Sequence, residues 1–126
     1  MNKLSLAFFS TGAIFVLCGM IWGMVMGSSQ DFTMAPAHAH LNLVGWASLA
    51  LMGTFYQLSG RGGRLGWINY FLSTAGVLVM VPFLALLLSG KPQYEAGVIA
   101  GSVLAALGMA TFVLVVLTSW RDAKPA

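Results

Sequence analysis

The chain has 126 residues, 59% of them hydrophobic and only 7% charged, with a formal net charge of +3. A soluble domain carries about 25% charged residues, so this composition excludes an ordinary soluble fold and indicates a membrane protein of one domain, 1–126. The basic residues form no patch, which argues against a nucleic-acid partner, and the single Cys18 rules out an intramolecular disulfide and reads as a small buried hydrophobe.

Four runs contain no Asp, Glu, Lys or Arg: Leu4 to Gln30, Phe32 to Gly60, Leu65 to Gly90 and Ala96 to Trp120. Each exceeds the roughly 20 residues that a helix needs to cross a bilayer. Backbone polar groups in lipid must find partners within the span, and the runs lack the alternation of a barrel strand. The predicted fold is therefore all-α, with four transmembrane helices near 6–27, 37–58, 65–88 and 95–119.

The first helix follows Lys3 and is too long for the roughly 7–15-residue apolar core of a cleaved signal peptide, so it is expected to stay with the chain. It carries Gly19, Gly23 and Gly27, a small-residue stripe suited to close packing in lipid. Met20, Met24, Met26 and Met34 gather toward its end. Methionine usually fills apolar gaps, but thioethers also favour Cu(I). A turn, "GSSQDFTMAP", leads to the second helix, which opens with "APAHAHLNLVGW" and holds both histidines of the chain.

Pro36 suits a first helical turn, so His38 and His40 fall within the first two turns. Residues i and i+2 lie about 200° apart around a helix, so the two rings face different neighbours and do not chelate one metal from a regular helix. Asn42 stands one turn after His38 on its face, placed to orient a ligand or to satisfy a neighbouring helix. Intramembrane histidines are functional candidates by default, although each ring could simply hydrogen-bond at the boundary.

The third helix contains Pro82, where a kink is expected, and the fourth carries Gly97, Gly101 and Gly108. Trp22, Trp46, Trp67 and Trp120 read as interfacial belt residues. Lys3, Arg61, Arg64, Arg121 and Lys124 fall on one side of a four-span topology and Lys91 on the other. The positive-inside rule then places both termini in the cytoplasm of a bacterial-type inner membrane, with Asp31, Lys91 and the histidine pair near the outer face.

The segment "SQDFTMAPAHAHLNLVGWASLALMGTFYQLSG" resembles the tenth transmembrane helix of the catalytic subunit of haem-copper oxygen reductases such as cytochrome c oxidase. That helix opens with the same Ala-His-x-His motif and has an acid seven positions before the first histidine, here Asp31. "NYFLSTAGVLVMVPFLALLLSGKPQYEAG" is similar to the next helix and its Gly-x-Pro loop, so the resemblance spans helices nine to twelve. It implies haem b, with His38 and His40 as axial ligands facing two haems. It also implies a homotrimer that rebuilds the family's ring of twelve helices, with a cyclic interface in which different faces of two protomers meet. Asp31 matches an acid near the family's haem propionates, and Lys91 stands where an arginine pair contacts them. The family's copper site needs three further histidines and a tyrosine, and this chain has two histidines in all, so it is not a complete oxygen reductase alone. The expectation is electron transfer with a quinol or cytochrome partner. The alternatives are a Cu(I)-handling trimer using His38, His40 and the methionines, or a cofactor-free accessory subunit.

Overall fold

The computed structural model describes residues 1–120; Arg121 and Lys124, counted above for orientation, lie outside the described residues. Helix α1 spans Lys3–Ser29, opened by Asn2, whose side-chain oxygen accepts from the Ser5 N–H at 2.8 Å, and closed by Gln30 in the left-handed region. Then come α2 (Ala35–Asn42), a π-helical segment (Leu43–Ser48) and α3 (Leu49–Ser59), which run on without a break. Gly60, at φ +64°, ends α3, a left-handed position that glycine takes without penalty. Helix α4 (Gly63–Leu88) stays helical across Pro82, and a short 3-10 turn at Pro92–Tyr94 leads into α5 (Glu95–Ser119). No strand occurs among the described residues.

Among the described residues, three helical stretches are long and apolar enough to cross a membrane: α1, α4, and α5 with its preceding turn. The remaining apolar run, predicted as one regular helix over 37–58, is divided by the π segment. Its register explains the interruption. Ala37, Leu41, Gly45 and Leu49 are all buried and recur every four residues. A regular helix with ~3.6 residues per turn would carry such a stripe off the core by about 120° over three turns. The wider π winding absorbs that drift, and the Ser48 hydroxyl donates to the Leu43 carbonyl, five residues back, at 2.9 Å.

Helix α1 packs along α2, the π segment and α3 through its glycines. A Cβ on Gly23 would lie 3.1 Å from the His38 ring, and one on Gly12 would lie 3.0 Å from the Trp46 ring. One on Gly19 would overlap the Asn42 side chain, with Asn42 Cγ at 2.8 Å. Gly27 faces open space, so the predicted stripe is used over its first two members only. Helices α4 and α5 form the tightest pair. A Cβ on Gly76 would sit 2.8 Å from Ala105 Cα, and one on Gly101 would sit 2.6 Å from Met80 Cα. The glycines of α5 therefore serve packing within the chain.

Polar stitches cross these interfaces. The fully buried Asn69 amide donates to the Gly108 carbonyl at 2.7 Å and to Ser73 Oγ at 3.2 Å, and its oxygen accepts from the Tyr56 hydroxyl at 3.1 Å. One side chain thus joins α3, α4 and α5. Thr11 and Tyr70 link α1 to α4 through their hydroxyls at 2.8 Å. Around them Phe8, Phe55, Tyr56, Tyr70 and Phe112 form an aromatic cluster drawn from α1, α3, α4 and α5. The outer faces carry leucine, isoleucine, valine and phenylalanine, which is the surface a lipid-facing helix presents.

Three expectations are corrected. Cys18 is exposed on the outer side of α1, because the α1 face that packs inward is the Gly12–Phe15–Gly19 stripe. Trp46 lies against Gly12 inside the bundle, and Trp22 packs on the hydrophobic core, so only Trp67 and Trp120 take the exposed positions near helix ends that a belt residue has.

Candidate functional site

The site is built by the first two turns of α2 and the glycine face of α1. Pro36 stands in the first turn of α2, where its missing N–H costs nothing. From there the helix sends His38 toward α1 and leaves His40 exposed. The two rings therefore take different surroundings, as their i, i+2 spacing requires.

His40 is held by one hydrogen bond, from Nδ1 to the Pro36 carbonyl oxygen, at 2.7 Å. A carbonyl only accepts, so this contact requires the proton on Nδ1. Nε2 then carries the lone pair, at an exposed position. Metal-binding histidines commonly have this arrangement, with one ring N–H given to a backbone carbonyl and the other nitrogen free to ligate.

His38 is half-buried in the slot opened by Gly23. The Asn42 amide nitrogen lies 3.3 Å from His38 Nδ1, 3.1 Å from Nε2 and 3.0 Å from the His38 carbonyl oxygen, to which it donates. A donor on the lone-pair axis of one ring nitrogen would stand much further from the other. The amide therefore lies across the ring, fixing its attitude without taking either nitrogen in line. Gly19 makes room for this amide, so α1 positions Asn42 and Asn42 positions His38.

Asp31 sits in the turn before α2, exposed, with Oδ1 accepting from the Thr33 hydroxyl at 2.6 Å and the Thr33 N–H at 3.0 Å. The hydroxyl contact, then the backbone one, hold its carboxyl below the usual range. Lys91 is exposed at the start of the Pro92–Tyr94 turn, where its carbonyl accepts from the Tyr94 N–H at 3.2 Å. The structure thus brings His38 and Asn42 together and sets His40 apart on the surface. No hydrogen bond joins Asp31 or Lys91 to the histidines among the described residues. Nor do three or more His, Cys, Asp or Glu side chains gather in one place among those residues.

Three features escaped sequence reasoning. The Pro36–His40 contact was available in their i, i+4 spacing. The matching of Gly19 and Gly23 with Asn42 and His38 needed the pairing of two helices, which spacing within one helix does not give. The π segment had its signal in the four-residue recurrence of Ala37, Leu41, Gly45 and Leu49.

As a ligand set, His40 fits an axial position on a haem iron by its tautomer and exposure. His38 fits one less openly, with part of its ring against Gly23. No family model, curated protein or solved structure matches the chain. The likeness to haem-copper oxygen reductases accordingly rests on the quoted residues alone.

Proposed function

We propose that this chain is a four-span membrane protein that binds haem b through His38 and His40 and serves electron transfer. Its fourth span in this reading is the continuous stretch α2–π–α3. The observation that carries the proposal is the Nδ1-to-Pro36 hydrogen bond at 2.7 Å, which leaves the His40 Nε2 lone pair exposed. Haem b, when bound, supplies one-electron iron chemistry, with its potential set by axial ligands, burial and nearby hydrogen bonds.

The chain's own residues have separable tasks. The Pro36 carbonyl holds the His40 ring with Nδ1 as its donor, which leaves Nε2 turned outward. Asn42 and Gly19 fix the attitude of His38. Because the two rings face different surroundings, one chain does not clamp one haem between them. The reading therefore includes a homotrimer in which His38 of one copy and His40 of the next share a site. Asp31, kept ionised by Thr33, and Lys91 are proposed to meet polar or charged groups at the outer face. The proposed location is a bacterial-type inner membrane with cytoplasmic termini, and the proposed redox partner is a quinol or a cytochrome.

The test compares visible spectra of His38→Ala and His40→Ala with the parent protein, at equal far-UV helicity. Both substitutions are expected to abolish the low-spin bands. An unchanged spectrum in His40→Ala would end the proposal.

Cu(I) handling is the second reading. Met20 and Met24 lie one turn apart on α1 and are 60% and 66% exposed, so both thioethers are accessible to a soft metal. Substituting both with leucine should abolish copper retention in this reading and leave a haem spectrum untouched in the first.

A further inference from the structure

The π segment Leu43–Ser48 begins directly after Asn42, between the histidine pair and α3. The buried line Ala37, Leu41, Gly45 and Leu49 faces the junction of α1 and α4, where a Cβ on Gly45 would lie 3.0 Å from Phe15 and 3.2 Å from Val77. Steps of four residues overrun a regular helix. The excess along this line is about 120°, close to the ~100° that one residue occupies. The π segment therefore houses one spare residue.

A second observation marks the same place. In the regular helices the hydroxyls of Thr54, Ser89, Ser102 and Thr111 donate to the carbonyl four residues back. The Ser48 hydroxyl reaches back five, to the Leu43 carbonyl, at 2.9 Å. That bond fits the wide winding and ties its two ends together.

Measured from the buried line, the spare residue leaves His38 and His40 about 80° to either side. His38 lies on the α1 flank against Gly23, and His40 is exposed. Regular winding of the same residues back from Leu49 would turn α2 by about 100°. His38 would then take the place of the fully buried Ala37, Asn42 would leave the slot at Gly19, and His40 would point straight outward.

We propose that the π segment positions the histidine pair: its spare residue sets the two rings on opposite flanks, and the Ser48 hydroxyl holds the winding. The purpose of this placement rests on the haem reading above, since rings on opposite flanks meet different haems or neighbouring copies. The placement itself is independent of haem.

The experiment compares the full chain in detergent with two variants. Deletion of Ala47 removes the spare residue, and insertion of one alanine after Ala47 adds a second. One readout is the NMR cross-peak between the His38 Cε1 proton and the Gly23 Cα protons, which the close approach of ring and glycine brings together. The other is the visible spectrum of the haem. The deletion is expected to keep both, because regular winding then carries the buried line with only about 20° of drift. The insertion is expected to lose both at unchanged far-UV helicity, because it turns α2 by about 100°. Ser48→Ala should weaken the cross-peak and shift the haem bands, and Ser48→Thr should restore them.

Loss of the cross-peak in the deletion as well as the insertion would overturn the proposal, since a helix without a spare residue loses its register either way. Retention in both would overturn it too, as would a deletion variant that does not fold. An insertion variant without helicity leaves the deletion and the Ser48 pair to decide. A colourless parent whose cross-peak follows the expected pattern refutes the haem reading and supports the positioning. Haem bands that survive in all variants refute this inference alone.

Discussion

Replacing Asn69 with leucine tests how the helices are held together. The side chain is fully buried and makes four interhelical or intrahelical bonds, to Gly108, Ser73, Tyr56 and the Met52 sulfur. Leucine is similar in size but makes none of them. In lipid the gain from added apolar surface is small, because the alternative surroundings are equally apolar. Each lost interhelical bond costs about 0.6 kcal/mol and seldom above ~1.7. The Tyr56 hydroxyl, fully buried, then loses its acceptor, which costs about 1–3 kcal/mol more. The expected destabilisation is thus about 2–4 kcal/mol. Tyr56→Phe removes the orphaned hydroxyl, so the double variant should be more stable than the two single losses predict, by about 1–2 kcal/mol. Denaturant titration in detergent, followed by far-UV circular dichroism, measures all four proteins. A single-variant loss below about 0.5 kcal/mol, or strict additivity, would show that this stitch does not hold the helices as described.

Gly101→Ala should destabilise the chain by about 2–3 kcal/mol in the same titration, because the new Cβ would meet Met80 backbone that cannot rotate away, 2.6 Å from its Cα. Gly19→Ala should displace the Asn42 amide and broaden or shift any haem spectrum while helicity stays constant, whereas Gly27→Ala should do neither. Thr33→Val should raise the Asp31 carboxyl toward its ordinary value, read by carboxyl NMR, since the Thr33 hydroxyl is the largest cause of its lowering. The sign follows from that lowering: the contribution of Asp31 to folding is present above its unfolded pKa and is lost as pH falls through the lower folded value. Thr33→Val should therefore reduce acid sensitivity below pH ~4, near the ordinary aspartate value.

The apolar runs between charges were enough to place α1, α4 and α5 within a few residues, because lipid-compatible helices must be long and nearly free of charge. The start of α2 was legible as well, since Pro36 stands in its first turn. The side that each residue faces was not. Cys18 and Met26 are both apolar residues of α1, yet one is exposed and the other buried, and a helix apolar all round gives no stripe to separate them. Trp46 looked interfacial by type, but its place against Gly12 depends on how two helices cross. At the site, the separation of His38 from His40 followed from helical geometry alone. The tautomer of His40 and the support of His38 by Asn42 and Gly19 needed the coordinates.

The central claim is that the exposed Nε2 of His40 and the supported ring of His38 ligate a haem. Its most direct test is the reduced-minus-oxidised visible spectrum of the purified chain, expressed in haem-replete cells and solubilised in detergent. Sharp α and Soret bands of a low-spin b-type haem are expected. A colourless protein without extractable haem would contradict it.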